Sequence, residues 1–157
     1  MKNILKHFVV ITKHKYFVGV ECFKRGLYWQ GFMHDWSKYH PKEFIQSARY
    51  FQGTGTPVSA IKAELGYASA WLHHKGHNPH HWEYWTDFFD GEIKACKIPE
   101  KYIIEMACDM IGASKAYNKE KYTPKEPLEY LKNNKHKFLM LDEDMAKLEK
   151  LLTDIIK

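Results

Sequence analysis

A histidine and an aspartate are adjacent at His34-Asp35, and Lys38 follows four positions after the histidine. On a helix, His34 and Lys38 would lie one turn apart on the same face. An imidazole nitrogen beside a carboxylate oxygen suits a divalent transition metal, and an ammonium group one turn further on can hold an anion near that metal. His-Asp pairs also arise by chance in most proteins. The stretch therefore predicts a metal site only where further ligands converge on it.

His14 is the first further candidate. Ile11, His14 and Val18 are spaced three and four residues apart, so His14 is predicted to face the buried side of a helix. A core histidine with a backbone partner would explain the same pattern. The position therefore permits a metal ligand without requiring one.

Asp109 is a second candidate, on a helix that is predicted to begin at Pro99. It shares a face with the small residues Gly112 and Ala113, which permit close approach of another helix. A carboxylate buried there would be costly without a cation or hydrogen-bond donors. A structural ion pair with a lysine is the alternative to metal binding.

A cluster of five histidines lies between the His-Asp pair and Asp109, at His73, His74, His77, His80 and His81. These are more imidazoles than a solvated helix end needs, although some of them can pack on the neighbouring tryptophans. Imidazole held by a polar partner is the commonest transition-metal ligand. Adjacent residues of a regular element point in different directions, so we expect at most one ligand from each adjacent pair.

The elements that must position these side chains are predicted to be helices. Apolar residues recur at helical spacing, and no alternating strand pattern of useful length is present. The pattern predicts a single all-α domain over residues 1–157 with six or seven helices, a metal-site core at about 10–120 and a C-terminal helical extension at about 124–157. The predicted helices cover residues 12–25, 31–38, 41–51, 57–76, 100–117 and a C-terminal segment. The glycine- and threonine-rich turn at 52–57 lacks the spacing of a phosphate-binding P-loop.

Composition excludes several classes of protein. The net charge of +5, from 24 basic and 19 acidic residues, is compatible with a phosphorylated substrate, but the basic residues are too scattered for nucleic-acid binding. No apolar run approaches the roughly 18 residues that would span a membrane. The three cysteines have no C-x-x-C spacing, which favours reduced thiols and a cytoplasmic protein. The oligomeric state is left open.

The order His14, His34-Asp35 and Asp109 resembles that of the HD-domain superfamily, an all-helical fold of metal-dependent phosphohydrolases. A more specific resemblance covers about residues 5–130 and is to an uncharacterised bacterial and phage family within that superfamily. It rests on the segments Ile11-Thr-Lys-His-Lys15, Gly26-Leu-Tyr28, His34-Asp-Trp-Ser-Lys-Tyr39, Trp71-Leu-His-His-Lys-Gly76, His80-His-Trp-Glu-Tyr-Trp85 and Glu105-Met-Ala-Cys-Asp109.

The resemblance implies one or two divalent ions, with Fe, Mn, Co, Ni and Zn all acceptable to such ligands. It assigns the first ion to His14, His34, Asp35 and Asp109. Superfamily members with two metals add two histidines, here one of His73/His74 and one of His80/His81. We predict His74 and His81, because His74 shares a helical face with Trp71, and keep His73 and His80 as alternatives.

The implied activity is hydrolysis of a small phosphorylated molecule, such as a nucleotide, by a metal-activated water. Lys38 would hold the substrate anion. Trp36, Trp82 and Trp85 would stack on a flat group of the substrate. Two alternatives use the same ligands: a di-iron oxygenase, and a metal-binding or regulatory module without turnover.

Overall fold

The computed structural model describes residues 2–53 and 55–156, so Thr54 of the predicted 52–57 turn lies outside the described residues. Within these ranges the chain forms eight α-helices, several short 3-10 helices and one β-hairpin. The helices are α1 (Lys2–Lys24), α2 (Tyr28–Met33), α3 (Pro41–Tyr50), α4 (Val58–Leu65), α5 (Ser69–His77), α6 (Glu100–Asn118), α7 (Glu126–Asn134) and α8 (Asp142–Asp154); the strands are β1 (Thr86–Phe89) and β2 (Glu92–Ala95). The predicted all-α fold is confirmed, with more helices than the six or seven expected. None of the described helices is long and apolar enough to cross a bilayer.

The single helix predicted over residues 57–76 is in fact two helices, α4 and α5. Gly66 ends α4 in the left-handed region at φ 78°, and its N–H bonds to the Lys62 carbonyl. Glycine carries no Cβ penalty in that conformation, which makes it the usual residue just beyond a helix end. The helical periodicity predicted for residues 57–76 is therefore interrupted at Gly66.

The hairpin was not predicted either. Its strands pair antiparallel from Thr86 with Ala95 to Phe89 with Glu92. Asp90 and Gly91 form the turn, at φ 56° and 81°. An Asp-Gly pair is a strong hairpin signal, because both central residues of a type I′ turn need positive φ. The Asp-Gly pair was visible in the sequence, but the strands on either side of it are too short to show an alternating pattern of apolar and polar residues.

The main hydrophobic core joins α6 to the two C-terminal helices. The leucines of α7 and α8 that face α6 are fully buried, as are the isoleucines of α6 that meet them. Asp144 of α8 accepts a hydrogen bond from the Ile98 N–H at 2.9 Å, just before α6 begins. The C-terminal extension therefore holds α6 from the side opposite to α1.

Candidate metal centre

A glycine sets the distance between α1 and α6. A Cβ on Gly112 would lie 2.3 Å from Val18 Cγ2 and 2.9 Å from the Val18 backbone nitrogen, so only glycine fits at this crossing. His14 and Asp109 lie one turn earlier on their respective helices. Their side chains meet, with His14 Nε2 3.0 Å from Asp109 Oδ1.

His34 and Asp35 are not helical, in contrast to the predicted helix over residues 31–38. Helix α2 ends at Met33, His34 lies in a turn at φ −49° and ψ 128°, and Asp35 is left-handed at φ 56° and ψ 22°. On a regular helix, neighbouring side chains point about 100° apart. The break allows both side chains to reach the same point. Aspartate tolerates the left-handed region better than most residues, and such backbone strain is concentrated at functional sites.

Contacts of Lys15 and Gly31 keep the non-helical His34-Asp35 segment close to α1. Lys15 Nζ donates to the carbonyls of Phe32 and His34, each at 2.6 Å. These are carbonyls that the end of α2 leaves without intrahelical partners. A Cβ on Gly31 would lie 2.9 Å from Cys22 Cβ, so α2 packs directly against α1.

The first group of candidate ligands consists of His14, His34, Asp35 and Asp109, whose ligand atoms lie within 4.8 Å of one another. Asp35 Oδ2 is 2.9 Å from His14 Nε2 and 3.2 Å from His34 Nε2. Asp109 Oδ1 is 3.5 Å from His34 Nε2. Two imidazole nitrogens and two carboxylate oxygens that converge in this way suit a divalent transition metal.

The second group consists of Asp35, His74, His80 and His81, again with ligand atoms within 4.8 Å of one another. It is reached by the other carboxylate oxygen of Asp35: Oδ1 is 3.3 Å from His74 Nε2 and 3.5 Å from His80 Nε2. Asp35 therefore lies between the two groups, with one oxygen toward each.

Four atoms of the second group are buried without a hydrogen-bond partner in the described part of the chain, namely Asp35 Oδ1 and the Nε2 atoms of His74, His80 and His81. Unpaired buried polar atoms are rare in native proteins, and each one needs an explanation. Three imidazole nitrogens and a carboxylate oxygen aimed at one point are the donor set of a metal ion. We expected at most one of His80 and His81 here; both face the group, because residues 78–81 form an irregular loop in which neighbouring side chains need not diverge.

Glu105 supports ligands of both groups and was not among the site residues predicted from the sequence. It lies one turn before Asp109 on α6, with Oε1 2.9 Å from His34 Nδ1 and 3.2 Å from His80 Nδ1. A carboxylate that accepts from Nδ1–H leaves the Nε2 lone pair free for a metal and fixes the ring orientation. The i, i+4 spacing of Glu105 and Asp109 was the available signal.

Glu43 of α3 orients histidines of α5 in the same way, through their Nδ1 atoms. Its Oε2 is 2.9 Å from His74 Nδ1, and its Oε1 is 2.6 Å from His73 Nδ1. His73 is thus placed on Glu43, outside both groups of candidate ligands. His77 stacks on His73 with ring centroids 4.0 Å apart and also lies outside them.

Protonation is governed by burial and by the carboxylates. Burial lowers the pKa of His74 and of His81, which keeps both imidazoles in the neutral form that binds metals. For His34, burial also acts to lower the pKa, but the surrounding carboxylates outweigh it and raise the pKa well above its ordinary value. Burial acts to raise the pKa of Asp35, and His34 and Lys38 hold it well below its usual range. The centre is therefore rich in negative charge, which favours a cation there.

Lys38 contacts the centre directly. Its Nζ lies 2.5 Å from Asp35 Oδ2, the oxygen that also faces His14 and His34. Burial acts to lower the pKa of Lys38, but the Asp35 and Asp109 carboxylates raise it above its ordinary value. The ammonium group is therefore charged beside the first group of ligands.

The three tryptophans proposed as substrate contacts lie in different surroundings. Trp36 borders a cavity of about 320 Å³ whose other lining includes Trp29, His34, His80 and Glu105. Trp82 packs on Phe138, and Trp85 packs on Tyr102. Both belong to the apolar surroundings of the main core, and neither lines the 320 Å³ cavity.

A second, smaller cavity of about 70 Å³ opens beside the centre. Two residues that contact Asp35 form part of its wall, Lys38 and His74. The wall also includes His7, Tyr117 and residues 56–58. Thr56 and Pro57, from the turn that lacks P-loop spacing, therefore border this cavity.

Residues 3–154 match the family model DUF5662, a family of unknown function. The chain belongs to this family. Comparison with curated proteins and with solved structures gave no match. The family match confirms an uncharacterised family across the chain and provides no link to the HD superfamily, so that resemblance stays a hypothesis.

Proposed function

We propose that this member of DUF5662 is a metal-dependent phosphohydrolase of the HD type that acts on a small phosphorylated molecule. The observation that carries the proposal is the position of Asp35. Its two oxygens face two separate sets of imidazole nitrogens. The nitrogens of the second set have no hydrogen-bond partner among the described residues. A carboxylate shared by two such sets is what a pair of divalent ions requires.

The residues that would hold the ions are His14, His34, Asp35 and Asp109 for one, and Asp35, His74, His80 and His81 for the other. When bound, such ions lower the pKa of a coordinated water toward neutrality and act as Lewis acids toward a phosphoryl group.

The chain's own residues account for orientation and anion binding. Glu43 holds the Nδ1 atom of His74, and Glu105 holds those of His34 and His80, which directs the Nε2 atoms of these three rings inward. Lys38 provides a fixed positive charge beside Asp35 for a substrate oxyanion. A cationic side chain bordering the centre favours an anionic substrate, which a phosphate ester is.

The test starts with metal analysis of the protein purified without chelators, followed by a phosphatase screen over nucleotides and other phosphate esters. We expect about two transition-metal ions per chain and turnover of at least one phosphate ester. Lys38→Met should keep the metal and lower turnover by roughly 10²–10³, the range for loss of one charge-stabilising group.

Three outcomes count against the proposal. Protein that takes up no Fe, Mn, Co, Ni or Zn after reconstitution would refute the metal centre. Two irons with an iron–oxygen absorbance and no phosphatase activity would favour the oxygenase instead. If Lys38→Met strips the metal, Lys38 supports the ligands and its assigned role in anion binding is wrong.

A further inference from the structure

His7 is a buried histidine that the metal centre does not use. It lies on α1 two turns before His14, on the same inward face, and is 5 % exposed. Its ring packs against Phe44 and Phe51, with centroids 5.6 and 5.2 Å away. Its Nδ1 has no hydrogen-bond partner in residues 2–53 and 55–156. An apolar ring would fill this place without the cost of an unpaired nitrogen.

A group bound in the small cavity could provide the missing partner of this nitrogen. His7 borders it together with Lys38, His74 and Tyr117, so an occupant could contact both His7 and residues of the metal centre. His7 also lies near enough to Lys38 to feel its charge: burial and the Lys38 charge lower the pKa of His7 to about 4. The imidazole is therefore neutral near pH 7 and carries one N–H.

The size and charge of the cavity restrict its occupant. A volume of about 70 Å³ is far below the roughly 300–1,000 Å³ of sites that enclose whole small molecules, so a single compact group fits and a nucleoside does not. The Glu43 carboxylate on the wall directs its two oxygens at His73 and His74. Burial raises the pKa of Tyr117, which keeps its hydroxyl protonated as a donor.

We propose that this cavity is an oxyanion pocket for one phosphoryl group, in which His7 contacts a phosphoryl oxygen through Nδ1 and Lys38 and Tyr117 contribute the remaining contacts. The inference rests on the proposed function and names its substrate class: a phosphate monoester whose terminal group enters the pocket while the rest of the molecule stays outside. Free phosphate has the same chemistry and is the product expected there.

The test is phosphate binding, measured by calorimetry on the metal-loaded full-length protein with inorganic phosphate as the probe. His7→Phe keeps a ring between Phe44 and Phe51 but removes the nitrogen. We expect it to weaken phosphate binding about tenfold or more, the range for one lost hydrogen bond to a charged group, with unchanged metal content. Its melting temperature should equal or exceed that of the wild type, because a buried unpaired nitrogen is gone.

Two further variants complete the experiment. His7→Asn places an amide near the position of Nδ1 and should retain most of the phosphate affinity, and it serves if His7→Phe does not fold. His136→Asn, at an exposed histidine of the C-terminal half, should change neither binding nor stability. Phenyl phosphate should bind like inorganic phosphate, whereas a phosphodiester should not.

The outcomes separate this inference from the proposed function. Equal phosphate affinity in wild type and His7→Phe, with a lower melting temperature in the variant, would make His7 structural and overturn the inference alone. Wild-type protein that binds no metal would refute the proposed function; the pocket would then be judged by the same titration of metal-free protein. Wild-type protein that binds no phosphate in either form overturns the pocket.

Discussion

Asp35 is the residue on which both halves of the candidate centre depend, because each of its carboxylate oxygens faces a different set of imidazoles. Asp35 is the one residue that these two sets share, whereas His34 and His80, from different sets, form a third group with Glu105. Substitutions in this region should therefore not be equivalent, although every ligand is a histidine or an aspartate.

Metal content is expected to fall in steps that follow this arrangement. Asp35→Asn should remove both ions, since it weakens both groups while asparagine still tolerates the left-handed backbone. His74→Ala should remove about one ion per chain, and His77→Ala should remove none because His77 lies outside both groups. Elemental analysis of the three purified variants measures this directly. Equal metal content in His74→Ala and His77→Ala would contradict the assignment of His74.

At this scale, the candidate ligands could be predicted from the sequence, whereas the glutamates that orient them could not. His14, His34, Asp35 and Asp109 were named from residue type, spacing and resemblance. Glu43 and Glu105 were not, because a glutamate on a helix resembles any solvated charge until its burial is known. His80 and His81 were treated as alternatives on the assumption of a regular element, whereas they belong to a loop.

At the scale of elements, the site depends on how closely α1, α2 and α6 approach. Gly112 permits the contact of α6 with Val18, and Gly31 permits that of α2 with Cys22. Hydrophobic periodicity predicted that these helices exist. It carries no information on crossing points, which depend on the absence of side chains at a few positions, nor on the break that turns His34 and Asp35 inward.

Gly112→Ala should damage both stability and the site. The new Cβ would meet the Val18 backbone nitrogen at 2.9 Å, where no side-chain rotation gives relief. We expect a loss of about 1–3 kcal/mol in the free energy of unfolding, the usual cost of overpacking, and weaker metal binding as His14 and Asp109 separate. Denaturant unfolding and metal titration measure the two effects.

Gly76→Ala is the matched control for this substitution. Gly76 also lies in a helix, and a Cβ there would meet nothing within 4 Å. Replacing glycine by alanine in an open helical position should raise stability by up to about 1 kcal/mol. If both variants behaved alike, the tight crossing at Gly112 would not be what positions α6.

At the scale of the whole molecule, a buried carboxylate links global stability to pH. Glu21 of α1 pairs with Lys115 of α6 at 2.7 Å, and also with Lys24 and Arg25. Burial acts to raise the pKa of Glu21, but these three cations lower it to about 2 from an ordinary value of 4.5. The pairing therefore stabilises the folded chain fully above about pH 4.5, and this contribution is lost as the pH falls toward about 2.

Glu21→Gln should flatten that part of the pH profile. At pH 7 the free energy of unfolding of the variant should be lower by on the order of 2 kcal/mol, a figure that allows for solvent screening of the pair with the exposed Lys24. This difference should shrink toward pH 2. Chemical denaturation of metal-free protein across pH 2–7 provides the measurement and excludes acid release of metal. A difference that grew toward low pH would have the wrong sign for this ion pair.

The Glu105 contact with His34 joins residues 71 positions apart in the chain. During synthesis, a ribosome would release His14, His34, Asp35 and the whole histidine loop before Glu105 and Asp109 emerge with α6. An ion that arrived early would find imidazoles without the carboxylate that fixes their rings, and without one ligand of the first group. If the proposed centre binds metal, its correct loading would therefore require completion of α6, and until then the nascent histidine-rich segment would be exposed to whichever metal the cell has in excess.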